Sequence, residues 1–195
     1  MPGRSFDPGS WRLQKFHMNN RKNSNAATQL TVALFTIYLV SLVWILIFKL
    51  GVQFSYMESR RFNLIPFREA LVLNGRINFG EAIANVLIFV PFGIYAGILF
   101  QTWNTWGKGM LIFIFVFLIE AFQFVFRIGA FDINDIITNT LGGMLGLMLF
   151  YMVQSLFKSD LKLQKFINAI AATATILMIV MLALLKLNML PVRYQ

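Results

Sequence analysis

Charged and amide side chains with the spacing of one helix face occur inside a long apolar run. Glu120, Gln123 and Arg127 stand at positions i, i+3 and i+7, which places all three on one side of a helix. A carboxylate, an amide and a guanidinium so arranged can bind a phosphate or carboxylate, or can transfer a proton. Ionisable residues in a membrane helix cost about 2.5–3.5 kcal/mol each on insertion scales, so they are candidate functional residues by default.

Two further stretches show the same kind of spacing. Glu81 and Asn85 are four residues apart, which puts both on one helix face. Asp132, Asp135 and Asn139 repeat the i, i+3, i+7 pattern at the start of another apolar run. Three separate helices are therefore predicted to carry polar groups near their ends.

A purely structural role is the alternative for the same residues. Asp132 and Asp135 can cap the N-terminus of a helix, where carboxylates interact favourably with the helix dipole. Glu120 and Arg127, or Asp135 and Arg127, can form ion pairs that only fasten helices together. The spacing alone leaves both interpretations open. In each of them Gln123 has the same kind of role as Glu120.

The residue types that are missing exclude several kinds of chemistry. The chain has no cysteine and one histidine, His17, in the polar N-terminal segment. Disulfides, thiolate catalysis, a Ser-His-Asp triad and a multi-histidine metal site are therefore excluded. No nucleotide-binding glycine motif occurs either, so we expect neither a metal nor a cofactor.

Composition predicts the environment in which these residues work. Of 195 residues, 58% are hydrophobic and 13% are charged, and the mean hydropathy is +0.69. Soluble domains carry about 25% charged residues, so the excess apolar surface requires lipid. The net charge of +9 then indicates contact with anionic headgroups, and we expect no nucleic-acid partner.

Five apolar runs are each long enough to cross a bilayer as a helix, since backbone groups in lipid must be bonded internally. They predict an all-α, polytopic membrane bundle with helices at about residues 30–48, 81–100, 110–127, 136–157 and 167–186. This transmembrane domain covers residues 29–188. Residues 1–28 are predicted to form a disordered, basic cytoplasmic tail, and residues 189–195 a short tail.

The charges of the connecting segments predict an orientation. With the N-terminus in the cytoplasm, the cytoplasmic segments hold nine Lys and Arg and the opposite segments hold six. This bias favours a cytoplasmic N-terminus, although the opposite segment 49–80 is itself basic. The polar ends of the second, third and fourth helices then all lie at the outer face. Segment 49–80, with Arg61 and Asn63, lies on the same side.

Four motifs occur in a fixed order, and together they are specific: Arg61–Phe67, Asn85–Gly93, Glu120–Gln123 with Arg127, and Asp132–Gly146. The last reads Asp-x-x-Asp-x-x-x-Asn-x-x-Gly-Gly and is the strongest. Over about residues 30–155 the sequence resembles the VanZ-like family, which is named for a teicoplanin resistance protein. The resemblance implies a plasma-membrane protein of the cell envelope of a bacterium, typically Gram-positive, with a role in low-level resistance to teicoplanin and related lipoglycopeptides.

The polar groups at the outer face are expected to form a binding site for an envelope lipid, a lipid-linked cell-wall precursor or a lipoglycopeptide. The residues expected to bind are Arg61, Asn63, Asn85, Glu120, Gln123, Arg127, Asp132, Asp135 and Asn139. Membrane lipids are the surrounding partners, and the sequence leaves the oligomeric state open.

Two other functions remain alternatives. Glu120 and Asp135 are candidate catalytic residues of an intramembrane enzyme, as general acid and base on a lipid-linked substrate. A small transporter or an assembly partner is the third hypothesis, but the polar residues gather at one face and do not line a path across the membrane. We favour the binding protein over the enzyme.

Overall fold

In a computed structural model, the described residues of the protein form helices and one very short strand pair. The structure describes residues 8–48, 62–63, 79–126 and 131–186. Its elements are α1 (Pro8–Phe48), β1 (Phe62–Asn63), α2 (Phe79–Leu99), α3 (Thr105–Val125), β2 (Phe131–Asp132), α4 (Ile133–Leu156) and α5 (Asp160–Lys186).

Four stretches in the described part of the chain are long and apolar enough to span a membrane. They are Lys22–Leu46, Ala82–Leu99, Thr105–Val125 and Ile133–Leu156. The predicted all-α membrane bundle is therefore confirmed. α5 is not among the four, and its first two turns carry Asp160, Lys162 and Lys165.

Helix α1 begins much earlier than the apolar run that it contains. The sequence predicted a membrane helix from Leu30 and disorder before it, whereas α1 is helical from Pro8. Proline suits the first position of a helix, and no Gly or Pro follows Gly9 before α1 ends. The helix therefore continues from the apolar run toward the N-terminus, because adding residues to an existing helix costs little free energy compared with nucleating a new one.

Helix α3 also begins earlier than predicted, at Thr105 instead of Met110. The side chain of Asn104 caps it by accepting a hydrogen bond from the backbone N–H of Gly107, at 2.7 Å. This cap places Lys108, which the sequence assigned to a loop, inside the helix.

The described residues form two compact units, one of them comprising residues 35–158. In the other unit, the first part of α1 and α5 are joined by hydrogen bonds. The buried Asn168 amide donates to the carbonyl oxygen of Ala27 at 2.9 Å, and Gln164 donates to the hydroxyl of Thr31 at 3.0 Å. Polar bonds of this kind hold helices together where lipid weakens the hydrophobic drive.

Within residues 35–158, α2 and α4 approach each other at backbone contact distance. A Cβ atom added at Gly142 would overlap the carbonyl oxygen of Val86, and one at Gly146 would overlap that of Val90. Small residues at such spacing let two membrane helices approach closely. Glycine is required at these positions because any side chain would push the two helices apart.

Proline 91 lies inside α2, where its ring removes one backbone N–H and loosens the carbonyls of the preceding turn. The hydroxyl of Tyr38 on α1 donates to one of these carbonyls, that of Ile88, at 2.7 Å. A residue from a neighbouring helix thus satisfies this carbonyl, as is common where proline occurs in membrane helices.

We expect Gly146→Ala to destabilise the purified protein by about 1–3 kcal/mol, because the added methyl group has no room against α2. Gly109→Ala is the matched control, since its Cβ would meet only the sulfur of Met144 at 3.4 Å. Alanine favours a helix over glycine, so the control should be neutral or stabilising by up to about 1 kcal/mol. Thermal unfolding in detergent measures both. Equal effects of the two changes would contradict the close contact.

Candidate functional site

The helices of residues 35–158 bring buried and half-buried polar groups together at one end. α2 and α4 begin at this end, and α3 ends there. We call the group formed by Asn85, Glu120, Asp132, Asp135 and Asn139 the polar-end cluster. Hydrogen bonds join Asn85 on α2 to Asp135 on α4, and Glu120 on α3 to Asp132 at the start of α4.

A short hydrogen bond joins α2 to α4 in this cluster. The amide nitrogen of Asn85 donates to a carboxylate oxygen of Asp135 at 2.7 Å. Asp135 lies in the first turn of α4, where the helix dipole also favours its negative charge. The carboxylate is thus held in one orientation by a neighbouring helix.

Glu120 is almost completely buried in α3, with 2% of its surface exposed. Its Oε2 accepts a hydrogen bond from the backbone N–H of Asp132 at 3.3 Å. Asp132 is in turn the cap of α4, since its carboxylate accepts from the N–H of Asn134 at 2.8 Å. The capping role that the sequence offered for Asp132 is present. Glu120 extends the same network to α3.

The two short strands bring part of the long connection between α1 and α2 to the same place. β1 and β2 pair in parallel, with Asn63 opposite Asp132. Segment 49–80 was predicted on this side of the membrane, and its strand contacts the cap of α4. Arg61 and Arg127 lie outside the described residues, as do the side chains of Asn63 and Glu81.

Gln123 lies one turn beyond Glu120 on α3 and has a different partner. Its amide nitrogen donates to the backbone carbonyl of Leu46, near the end of α1, at 2.8 Å. The last carbonyls of a helix have no partner within the helix, so this bond satisfies one of them. The observed contact of Gln123 fastens α3 to α1.

Asn139 is the member of the cluster with unused hydrogen-bonding capacity. It lies one turn beyond Asp135 on α4, with 1% of its surface exposed, and its Oδ1 has no hydrogen-bond partner in the structure. A buried acceptor left unsatisfied costs about 1–3 kcal/mol. Such a group is suited to accept a hydrogen bond from a donor that enters the cluster.

Sequence reasoning missed a second buried polar group, at the opposite end of α3. Lys108 is 3% exposed and contacts Tyr151 on α4. The signal that would have found it is Asn104, a preferred capping residue that places the following lysine in a helix. Among the described residues, no group of three or more His, Cys, Asp or Glu comes together as a metal site.

The fold and cluster define a class: a polytopic helical membrane protein in which three helices place buried and half-buried carboxylates and amides at one end. The family model described as VanZ/LLP1 matches residues 35–158, which are the unit that contains the cluster. The chain belongs to this family. It is 36% identical to Protein VanZ of Enterococcus faecium over 163 residues, covering 82% of this chain and 96% of that protein. No solved structure matches it.

We expect Asn139→Leu to raise the thermal unfolding midpoint of the ligand-free protein, because leucine has the same branched shape and no unsatisfied acceptor. Thr138→Val is the matched control on the next residue. The Thr138 hydroxyl donates to the carbonyl of Asn134 at 2.8 Å, so its loss should bring no gain. A lower midpoint for Asn139→Leu would show that this amide contributes to folding in a way that the contacts do not reveal.

Proposed function

We propose that this protein acts at the bacterial plasma membrane, where the polar-end cluster binds an envelope lipid, a lipid-linked cell-wall precursor or a lipoglycopeptide and thereby raises tolerance to teicoplanin. The observation that carries the proposal is the buried Asn139 acceptor beside the Asn85–Asp135 bond. Buried polar groups without a partner have a cost, and a ligand that bonds to them removes it.

The cluster supplies mainly acceptors from its carboxylates and amides. Donors for a phosphate or carboxylate ligand come from the basic residues that the sequence places on the same side, namely Arg60, Arg61, Arg68 and Arg127. A ligand that carries hydroxyl or amide donors and an anionic group matches both. Headgroups of envelope lipids, cell-wall precursors and glycopeptides all have this character.

A site at this depth would also explain selectivity between glycopeptides. Teicoplanin carries an acyl chain and vancomycin does not. The helices that hold the cluster are apolar enough to span a membrane, so the cluster would face a ligand anchored by its chain in the outer leaflet. This placement rests on the predicted cytoplasmic N-terminus.

Intramembrane catalysis by Glu120 and Asp135 is the competing function. Both carboxylates accept hydrogen bonds from N–H donors, Asp132 N–H and Asn85 amide respectively. These bonds hold both carboxylates in fixed orientations, which supports a role in positioning and binding a ligand.

The proposal is tested by drug susceptibility in a sensitive Gram-positive host that expresses the protein. Wild type should raise the minimal inhibitory concentration of teicoplanin and leave that of vancomycin unchanged. Asn139→Leu, Glu120→Gln, Asp135→Asn and Arg127→Gln should each lose most of this effect at equal membrane abundance, because each removes a charge or the amide group from the proposed site.

Asp160→Asn is the matched control, since it neutralises an exposed carboxylate in the first turn of α5. It should retain full tolerance. If wild type changes neither drug, a role in teicoplanin tolerance is wrong for this protein. If Glu120→Gln and Asp135→Asn lose the effect while Asn139→Leu and Arg127→Gln keep it, the enzymatic alternative is favoured instead.

A further inference from the structure

A buried lysine lies at the end of α3 opposite the polar-end cluster. The ammonium of Lys108 donates to the hydroxyl of Tyr151 at 3.1 Å and lies 5.1 Å from the centre of the Tyr151 ring. The Phe150 ring is 6.0 Å away. Within the described part of the chain these are its side-chain contacts, and none is with a carboxylate.

The Lys108 ammonium therefore has no negatively charged partner among the described residues. Burying an ammonium group costs several kcal/mol unless it is paired, and contacts with aromatic rings recover about 0.5–2 kcal/mol of that. Lys108 also lies in the first turns of α3, where the helix dipole adds partial positive charge. An anion bound at this end would be stabilised by the Lys108 ammonium and by the helix dipole.

The hydroxyl groups beside Lys108 carry its hydrogen bonding toward the surface. A lysine can only donate, so the Tyr151 oxygen is the acceptor in their bond. The Tyr151 hydroxyl lies 3.1 Å from the hydroxyl of Thr105, which is exposed. When the Tyr151 hydroxyl donates to Thr105, the Thr105 hydroxyl can donate its own proton to an acceptor outside the protein. Hydrogen bonds aligned in one direction strengthen one another.

An apolar groove begins at the same threonine. One part, of about 610 Å³, follows α3 past Trp106 and Phe113. An adjoining part, of about 420 Å³, follows α4 past Met148, and the two parts share Thr105 and Met144. Methionine side chains are flexible and adapt to a chain of variable shape. The groove lies on helices that span the membrane, so acyl chains are what it meets.

We propose that Thr105, Lys108 and Tyr151 bind the phosphate of an anionic phospholipid whose acyl chain lies in this groove. Charge complementarity selects the headgroup, since the buried ammonium requires a negative partner. The groove selects a lipid over free phosphate, because it continues as apolar surface from Thr105. This site is separate from the polar-end cluster and independent of the function proposed for it.

The test uses the full-length protein in neutral detergent, with thermal unfolding as the measurement. Phosphatidylglycerol should raise the unfolding midpoint, whereas diacylglycerol with the same acyl chains and inorganic phosphate should not. Lys108→Met should need at least about tenfold more phosphatidylglycerol for the same shift, as expected for loss of a charge-assisted contact.

Lys158→Met is the matched control, because it removes an equal charge from an exposed lysine just after α4. It should retain the wild-type response. Thr105→Val tests the same site without altering the buried lysine. It should weaken the response to phosphatidylglycerol. Its unfolding midpoint without lipid should equal that of wild type. This variant decides the question if Lys108→Met does not fold.

Three results would overturn the proposal. Equal loss in Lys158→Met would show non-specific attraction to the net positive charge. Equal stabilisation by diacylglycerol would show that the headgroup is not recognised. The third result is a wild-type response to phosphatidylglycerol in Thr105→Val, and also in Lys108→Met if that variant folds. It would show that the lipid binds elsewhere.

Discussion

The contact between α2 and α4 is the constraint on which the polar-end cluster depends. Gly142 and Gly146 let the α4 backbone meet the carbonyls of Val86 and Val90 without intervening side chains. Asn85 precedes one of these carbonyls directly, and Asp135 and Asn139 lie within two turns before Gly142 on the same face. The short Asn85–Asp135 bond is possible only because the two helices are this close.

The cluster also shows how polar groups are tolerated inside an apolar bundle. Most have partners in the structure: Asp135 accepts from an amide, Glu120 and Asp132 accept from backbone N–H groups, and Gln123 donates to a carbonyl. These bonds offset the cost of burial and join α1, α2, α3 and α4. The oxygen of Asn139 is different because it is buried and unpaired. The proposed ligand would give this oxygen a hydrogen-bond donor.

The other end of the bundle holds a buried positive charge, which also needs polar partners. Lys108 lies among aromatic rings and hydroxyls, where a neutral side chain of similar length would cost less. The two ends of residues 35–158 therefore differ in chemistry, with carboxylates and amides at one and an ammonium with hydroxyls at the other. The two ends therefore suit ligands of different charge.

The sequence by itself determined the class of protein and the relative depth of its polar groups. Apolar runs of membrane-spanning length predicted the helices, and the i, i+3, i+7 spacing of Asp132, Asp135 and Asn139 predicted that they share a face. The motif order also indicated the family. These features are local, so they can be read from periodicity and length.

Tertiary structure alone decided which residues are partners. Gln123 has the spacing of a cluster residue but bonds to Leu46, and Tyr38 on α1 bonds to the Ile88 carbonyl in the turn before Pro91. Lys108 counted as a loop lysine until the cap at Asn104 and the packing of α4 placed it inside. Each outcome depends on the rotation of one helix against another. That rotation is set by packing between residues far apart in the chain, which periodicity within a single helix does not specify.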